Sequence, residues 1–529
     1  MRLPIKWLLL RRLTLPLLLA CLAAGPAAGE TVLRVIPNSD LRVMDPIQTA
    51  ALITRMHALM IYDTLLAWDE KLQPRPMAAE SYTVSPDGLK WTFVLRQGLK
   101  FNDGQALTTK DVIASLKRWM VRDGVGQRLT RFIASIDRLD DLRFAFTMKE
   151  PYGFVEYSLA QSAGIIPALM REKDAMTDPF TPVTETVGSG PFRFAREAWS
   201  PGNKYVYAKN PDYLPRSEPP SGLAGAHLVK VDRLEFLVIP DPTTAAGAIA
   251  KGEVDFWDTP PIDLIATMEK NPGLVVSKVQ PLSWFALIRP NHLHPPFNNV
   301  KARQALALTI DQGNYMRAAI GDQKWWRECY SFFVCGSRFG AEVAPADLTK
   351  QNLERAKQLF AEAGYKGEKV VIISPSDLPI INAFSEVTAD HLRQVGVNVD
   401  IQRADFGNIA VRWNNKSPPD QGGWNLLHAF ASGSTWHHPL TSLGADMTCG
   451  GTNWSGWPCD EEAAKLRDAF IRAPDEASQK AASEALQRRL WQTIPFLMGG
   501  QYDQPYVWRK NIEGVLPTGL LVFWNISKS

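Results

Sequence analysis

Two blocks of helix–strand alternation, far apart in the chain, constrain the fold more than any other feature. In the first, a strand at 234–239 (LEFLVI) precedes a helix that Asp241 and Thr243 can cap. That helix runs through Ala250 and ends at Gly252, and a strand at 254–257 follows. In the second, a helix over 347–365 sets Leu353, Ala356, Leu359, Phe360 and Ala363 on one face and stops at Gly364. A strand at 370–373, a helix over 382–395 ended by Gly396, and a strand at 397–401 complete it. Alternation of this kind builds largely parallel sheets with helices on both faces. Two such blocks predict two α/β lobes, with VLRVI at Val32–Ile36 as the opening strand.

The texture changes between that opening strand and residue 234. WTFVL at 91–95 alternates as a strand, and Asn102-Asp103-Gly104 is a turn signal. Thr108 and Asp111 have the capping-box spacing before a helix with Val112, Ile113, Leu116 and Met120 on one stripe. The segment reads as an α+β insertion in the first lobe. Proline-rich joints lie at 211–220 and 290–296. A chain of 529 residues with 45% hydrophobic and 21% charged side chains is long enough for several domains and ordinary for a globular protein.

The N-terminus reads as a targeting segment. Arg2, Lys6, Arg11 and Arg12 flank an apolar run at 13–24, and Gly25, Ala27, Ala28 and Gly29 form a small-residue exit. That order describes a secretory signal peptide cleaved near Ala28, too short in its apolar run to span a bilayer. A lipoprotein-type box leaving a lipidated Cys21 and a twin-arginine signal at Arg11-Arg12 are the rivals. The four basic residues account for the sign of the net charge, which is +3 for the whole chain. The near-neutral remainder carries no nucleic-acid footprint. Cys329, Cys335, Cys449 and Cys459 fall in two local pairs, as two short-loop disulfides of an exported chain would. Their spacing lacks the tight pairs of a zinc site.

Motifs of catalysis are missing: no G-x-S-x-G elbow, no phosphate loop and no H-E-x-x-H occur. Gly188-Ser189-Gly190 reads as a tight turn. His292, His294, His437 and His438 supply the histidine clusters, with no third ligand marked nearby. Trp424, Trp436, Trp454 and Trp457 crowd a glycine-rich stretch that could pack a core or line a cleft.

Several blocks then carry a resemblance. NSDLRVMDP at 38–46, YDTLL at 62–66, PMAAE at 76–80, WTFVLRQGLKFNDG at 91–104 and GSGPF at 188–192 are among them. NPDY at 210–213, GEVD at 252–255 and PPFNNVKARQALALTI at 295–310 extend them over nearly all of the chain beyond the targeting segment. The sequence resembles the family 5 extracellular solute-binding proteins of ABC importers, the group with dipeptide-, oligopeptide- and nickel-binding members. The resemblance implies a bilobed binding-protein fold (type II, cluster C) with an extra α+β subdomain, and no enzyme. It implies a monomeric periplasmic receptor without a cofactor that closes on a solute and docks on permease subunits. The implied bounds are a signal peptide at 1–28 and first-lobe segments at 29–60, 183–282 and 501–529. The inserted subdomain takes 61–182 and the second lobe 283–500.

By position in the family pattern, Asp40, Leu41 and Arg42 should face the cleft from the first lobe. Trp424, His428 and Trp436 should face it from the second, with Gln501 and Tyr502 near the returning hinge. Peptide-binding members carry an aspartate three residues after a Gly-Trp pair, for the peptide's α-ammonium. Here Gly423-Trp424 is followed by Asn425, Leu426 and Leu427, so the acid position holds Leu427. Burying an ammonium without a counter-charge is costly, so a neutral, amphipathic or anionic ligand fits better. The alternative is a metal- or metallophore-binding protein using His437 and His438, as the nickel branch of the family invites.

Overall fold

The computed structural model describes residues 30–450 and 454–529, so the expected signal peptide and Cys21 lie outside the described residues. Three principal sheets organise the described chain. The first runs, in spatial order, Leu274–Lys278, Pro505–Arg509, Phe256–Trp257, Val32–Ile36, Arg233–Leu237, Lys204–Lys209 and Phe192–Phe194. Its centre is the anticipated β-α-β unit. The opening strand pairs in parallel with Arg233–Leu237 on one side and Phe256–Trp257 on the other. The helix Pro242–Lys251 connects them, capped by the Asp241 carboxylate accepting from the Thr244 amide at 2.7 Å and ended by Gly252 at φ +81°. That left-handed φ is why a glycine stands there.

The second sheet runs Trp326–Arg327, Leu497–Tyr502, Trp284–Pro290, Leu426–Ala431, Val370–Pro375 and Val399–Ala404. Its parallel part is again a β-α-β unit, crossed by the helix Pro379–Gln394. The helix expected over 347–365 is shorter, Leu353–Glu362, because Asn352 caps it by accepting from the Arg355 amide at 3.0 Å. Both sheets are mixed rather than largely parallel. Val32–Ile36 and Val370–Pro375 each pair in parallel with both of their neighbours, and the remaining ladders of the two sheets are antiparallel.

The third sheet is four-stranded and antiparallel, in the order Ala79–Val84, Lys90–Leu95, Arg143–Met148, Ile133–Arg138. The helices Thr109–Arg122 and Gly124–Phe132 belong to this inserted region. The Thr108 amide donates to the Asp111 carboxylate at 2.8 Å, as the capping spacing anticipated. Gly188 and Gly190 turn tightly on Ile61. A Cβ at Gly188 would lie 1.7 Å from the Ile61 carbonyl oxygen, so no larger residue fits.

The chain passes between the first and second sheets at 279–283 and again at 503–504. Gln501 and Tyr502 still pair with Phe285 and Trp284, so the return comes two residues after the expected start at 501. Asp503 ties the two crossings, accepting from Ser283 at 2.8 Å and from Lys278 at 3.1 Å. Cys329 is bonded to Cys335 and Cys449 to Cys459, matching the local pairing. Among the described residues no helix is long and apolar enough to cross a membrane.

Candidate functional site

The helix Leu52–Ile61 is apolar over most of its length, yet it carries Arg55 with only 7% of its surface exposed. Nη1 of that guanidinium donates to the carbonyls of Ser162 at 2.8 Å and Ala163 at 3.0 Å. Nε is buried without a partner. Burial pulls the Arg55 pKa down to about 10, which leaves it charged at neutral pH. Among the described residues no carboxylate lies within ion-pair distance of it.

Arg55 lines a cavity of about 470 Å³ bounded by all three parts of the fold. The inserted region supplies Arg122, Asp123, Arg128 and the turn at 161–165; the second sheet supplies Trp284, Phe430, Ala431 and, just beyond its strand, Ser432 and Thr435. Thr435 donates to the Ala163 carbonyl at 3.2 Å, closing the two sides on each other. Asp123 is wholly engaged as a helix cap. One oxygen accepts from the amides of Val125 and Gly126 at 2.9 and 3.1 Å, and the other from Ile165 at 3.0 Å. A Cβ at Gly164 would meet that second oxygen at 2.6 Å, which explains the glycine. Asp446 is shared by Arg128 at 3.3 Å and Arg467 at 2.9 Å. Arg122 is half-buried over the Phe180 ring at 4.7 Å and donates only to the carbonyls of Ile47 and Gln48.

A second seam joins the inserted region to the second sheet. Tyr157 meets His437 there, with its hydroxyl 2.7 Å from Nε2, while Nδ1 lies 2.8 Å from the Ser434 carbonyl. His438 stacks on Tyr157 at 4.1 Å and is walled edge-on by Phe154, Phe339 and Phe470. Burial holds His437 at about 4 and His438 well below the usual imidazole range, so both are neutral. His437 and His438 line a groove of about 480 Å³ together with Tyr157, Glu70, Glu156, Arg338 and Glu476, among others. Among the described residues no group of three metal-ligating side chains converges.

None of the eight residues anticipated from the family pattern lines the arginine cavity. Asp40 accepts from Arg42 at 3.2 Å and from the Gly202 amide at 2.9 Å, and Arg42 is largely exposed. Leu41 is fully buried in the first lobe's core. Trp424 packs on Trp457 at 5.7 Å, and Trp436 packs between Trp454 and Phe496. His428 is sealed under the helix Pro379–Gln394, 3.1 Å from Ser385 and 2.7 Å from Thr388. Gln501 is buried with both amide atoms unpartnered, and Tyr502 stacks against Trp284 at 6.4 Å. Leu427 is fully buried opposite Arg289, whose guanidinium lies 3.5 Å from the Trp454 ring centre.

The physical reason is strand register. Alternate residues of Leu426–Ala431 face opposite sides of an interior sheet, and only its end, Phe430 and Ala431, reaches the cavity. The Gly-Trp pair stands ahead of that strand for packing: a Cβ at Gly423 would lie 1.8 Å from the Ser417 carbonyl oxygen. Arg55 and Arg122 were not anticipated. The signal for Arg55 was present, a charge inside the otherwise apolar LITRMHALMI.

The family model for bacterial extracellular solute-binding proteins, family 5 (middle) matches residues 73–453. The chain is 36% identical over 510 residues to a probable peptide ABC transporter periplasmic-binding protein of Sinorhizobium fredii, covering 95% of this chain and 94% of that protein. Two solved structures share the fold. A dipeptide-binding protein from Pseudoalteromonas in complex with Met-Leu superposes with a TM-score of 0.77 at 20% identity, over 94% of this chain and 100% of the other. The agropinic-acid complex of AgaA from A. tumefaciens R10 gives 0.76 at 22% identity, over 94% and 99%. The fold is thus that of a known group, and with the family model over most of its length the chain belongs to the bacterial extracellular solute-binding proteins of family 5.

Proposed function

We propose that this protein is the periplasmic receptor of an ABC importer and captures one small peptide-like or other organic solute in the arginine cavity. The observation that carries the reading is the cavity's position. It is walled by the first lobe, the inserted region and the second lobe at once, so closure about the crossings at 279–283 and 503–504 would create or open it. Its volume of about 470 Å³ suits one small ligand rather than a long chain, since ligand pockets run from about 300 to 1,000 Å³. Trp284 and Phe430 supply apolar surface, and the arginines supply orientation. The inserted region is assigned 61–182 and the second lobe begins at 283. Delivery to membrane permease subunits, a monomeric receptor and export by cleavage near Ala28 complete the reading.

Native mass spectrometry of protein taken from its own periplasm tests it. A retained solute of defined mass, displaced when Trp284 or Phe430 is replaced by alanine, is the expected result. A protein that retains nothing, and whose stability no peptide or small organic acid changes, would defeat it.

A further inference from the structure

We infer that the cavity selects solutes bearing an anionic group, and that Arg55, assisted by Arg122, is the specificity-determining receptor for that group. The inference rests on the cavity being the ligand site and adds the charge of what enters it.

Four arginines line the cavity against two aspartates. Both aspartates are spent. Asp123 caps a helix with one oxygen and holds the Ile165 amide with the other, and Asp446 is divided between Arg128 and Arg467. Arg55 and Arg122 are left with carbonyl partners only. A guanidinium held out of water without a counter-charge is costly, and an anion arriving with the solute offsets that cost.

The unpartnered polar atoms point the same way. Among the cavity's lining residues, the buried side-chain nitrogens and oxygens lacking a hydrogen bond are Nε of Arg55, Nε1 of Trp284 and Nη1 of Arg467. The last is ion-paired to Asp446, and all three are donors. No buried carboxylate or amide oxygen of these lining side chains is orphaned; behind Arg55, the Ser162 hydroxyl is unpartnered and can donate or accept. A planar carboxylate or a phosphate oxygen pair matches the guanidinium fork, which presents parallel N–H donors. Holding the Ser162 and Ala163 carbonyls takes only Nη1, and so does not account for the rest of the group.

Two equimolar pools of N-acetylated di- and tripeptides test this, one ending in free carboxylates and the other in carboxamides. Thermal midpoint and calorimetric affinity are read for the full chain and its variants. The carboxylate pool should raise the midpoint and the carboxamide pool should not. Arg55→Gln should weaken carboxylate binding by about 30-fold or more, as loss of one partner of a buried charge pair does. Arg55→Lys should recover part of it. Arg122→Gln, at a half-exposed position, should reduce the preference without risk to folding, and it decides the matter if Arg55→Gln does not fold. Equal binding of both pools, or a preference that survives both substitutions, overturns the inference and leaves the cavity as the ligand site. If neither pool moves the midpoint, the inference and the assignment of the site fall together.

Discussion

The inserted region meets the second lobe along two seams, and they handle polar groups in opposite ways. At the histidine seam, His437 has a partner for each ring nitrogen, and Nδ1 of His438 accepts from the Leu440 amide at 3.0 Å. Both rings are buried among aromatics at the wall of the groove, and neutral. At the arginine cavity, the guanidiniums of Arg55 and Arg122 have carbonyl partners and, among the described residues, no carboxylate in ion-pair reach, and Nε of Arg55 and Nε1 of Trp284 are buried unpaired. A neutral imidazole with its bonds made is cheap to bury, whereas an uncompensated cation is not. The pair that looks like metal chemistry in the sequence is packing. The residue that looks misplaced in an apolar helix carries the polarity of the site. Departures from good local order concentrate where a protein does its work.

Acid should act first on buried histidines. Burial holds His57 and His428 at about 3 and His227 and His437 at about 4, all below the value near 6.5 of an unfolded chain. The unfolded chain therefore binds more protons below that value, so their contribution is present above pH 6.5 and lost as pH falls. At pH 5 each ring costs about 2 kcal/mol. Asp63 and Asp258 oppose this, since burial pushes both up to about 6 and their contribution is lost as pH rises through that value. At pH 5 each carboxyl returns only about 1.4 kcal/mol, and the four rings outweigh the two acids. Thermal midpoints should fall between pH 6.5 and 4.5. A flat profile over that range would show these four rings to be open to water.

Tyr157→Ala should separate the seams. It removes the ring on which His438 stacks and the partner of His437. Loss of a buried aromatic costs about 3–5 kcal/mol. Tyr157→Phe removes only the hydroxyl and should cost about 1–3 kcal/mol, because Nε2 of His437 is left unpaired. Denaturant unfolding measures both. Arg55→Gln should cost less stability than Tyr157→Ala while losing more ligand affinity, and the reverse order would erase the distinction between seams.

The disulfide Cys329–Cys335 sits beside the histidine seam, since Phe339, four residues on, walls His438. Replacing both cysteines by alanine should lower stability by about 2 kcal/mol, the chain-entropy value for so short a loop. Ligand affinity at the arginine cavity should stay unchanged. A drop in affinity would mean the seams are coupled through the second lobe.

The β-α-β units were readable because caps and stops are local. Asp241, Gly252 and the Thr108–Asp111 spacing act within a turn of their own helices. The disulfides were readable because each closes a short loop. The site was not. Its walls come from the helix Leu52–Ile61, the end of the helix Thr109–Arg122, a turn at 161–165 and the end of Leu426–Ala431. No periodicity brings those segments together. The family pattern points to His428 as a cleft residue and to Leu427 as the place of the missing acid, and both side chains are buried in this strand, whose end alone reaches the cavity.

Nickel is the smallest expected effect and the sharpest check on the contrast. A metal would need the lone pairs of His437 and His438, but both nitrogens of His437 and Nδ1 of His438 already have hydrogen-bond partners. Coordination would also have to displace Tyr157 and find further ligands, and the acids lining the groove include Glu476, which is paired with Arg338 and Lys480. A divalent ion accepts such a site poorly, since its geometry requires ligands that converge. Calorimetric titration with nickel chloride, and with nickel in excess histidine, should give no heat beyond dilution for the purified chain. His437→Gln should leave that blank result unchanged while lowering the thermal midpoint. Micromolar binding that His437→Gln abolishes would reverse the assignment, making the histidine seam the functional one and the arginine cavity the structural one.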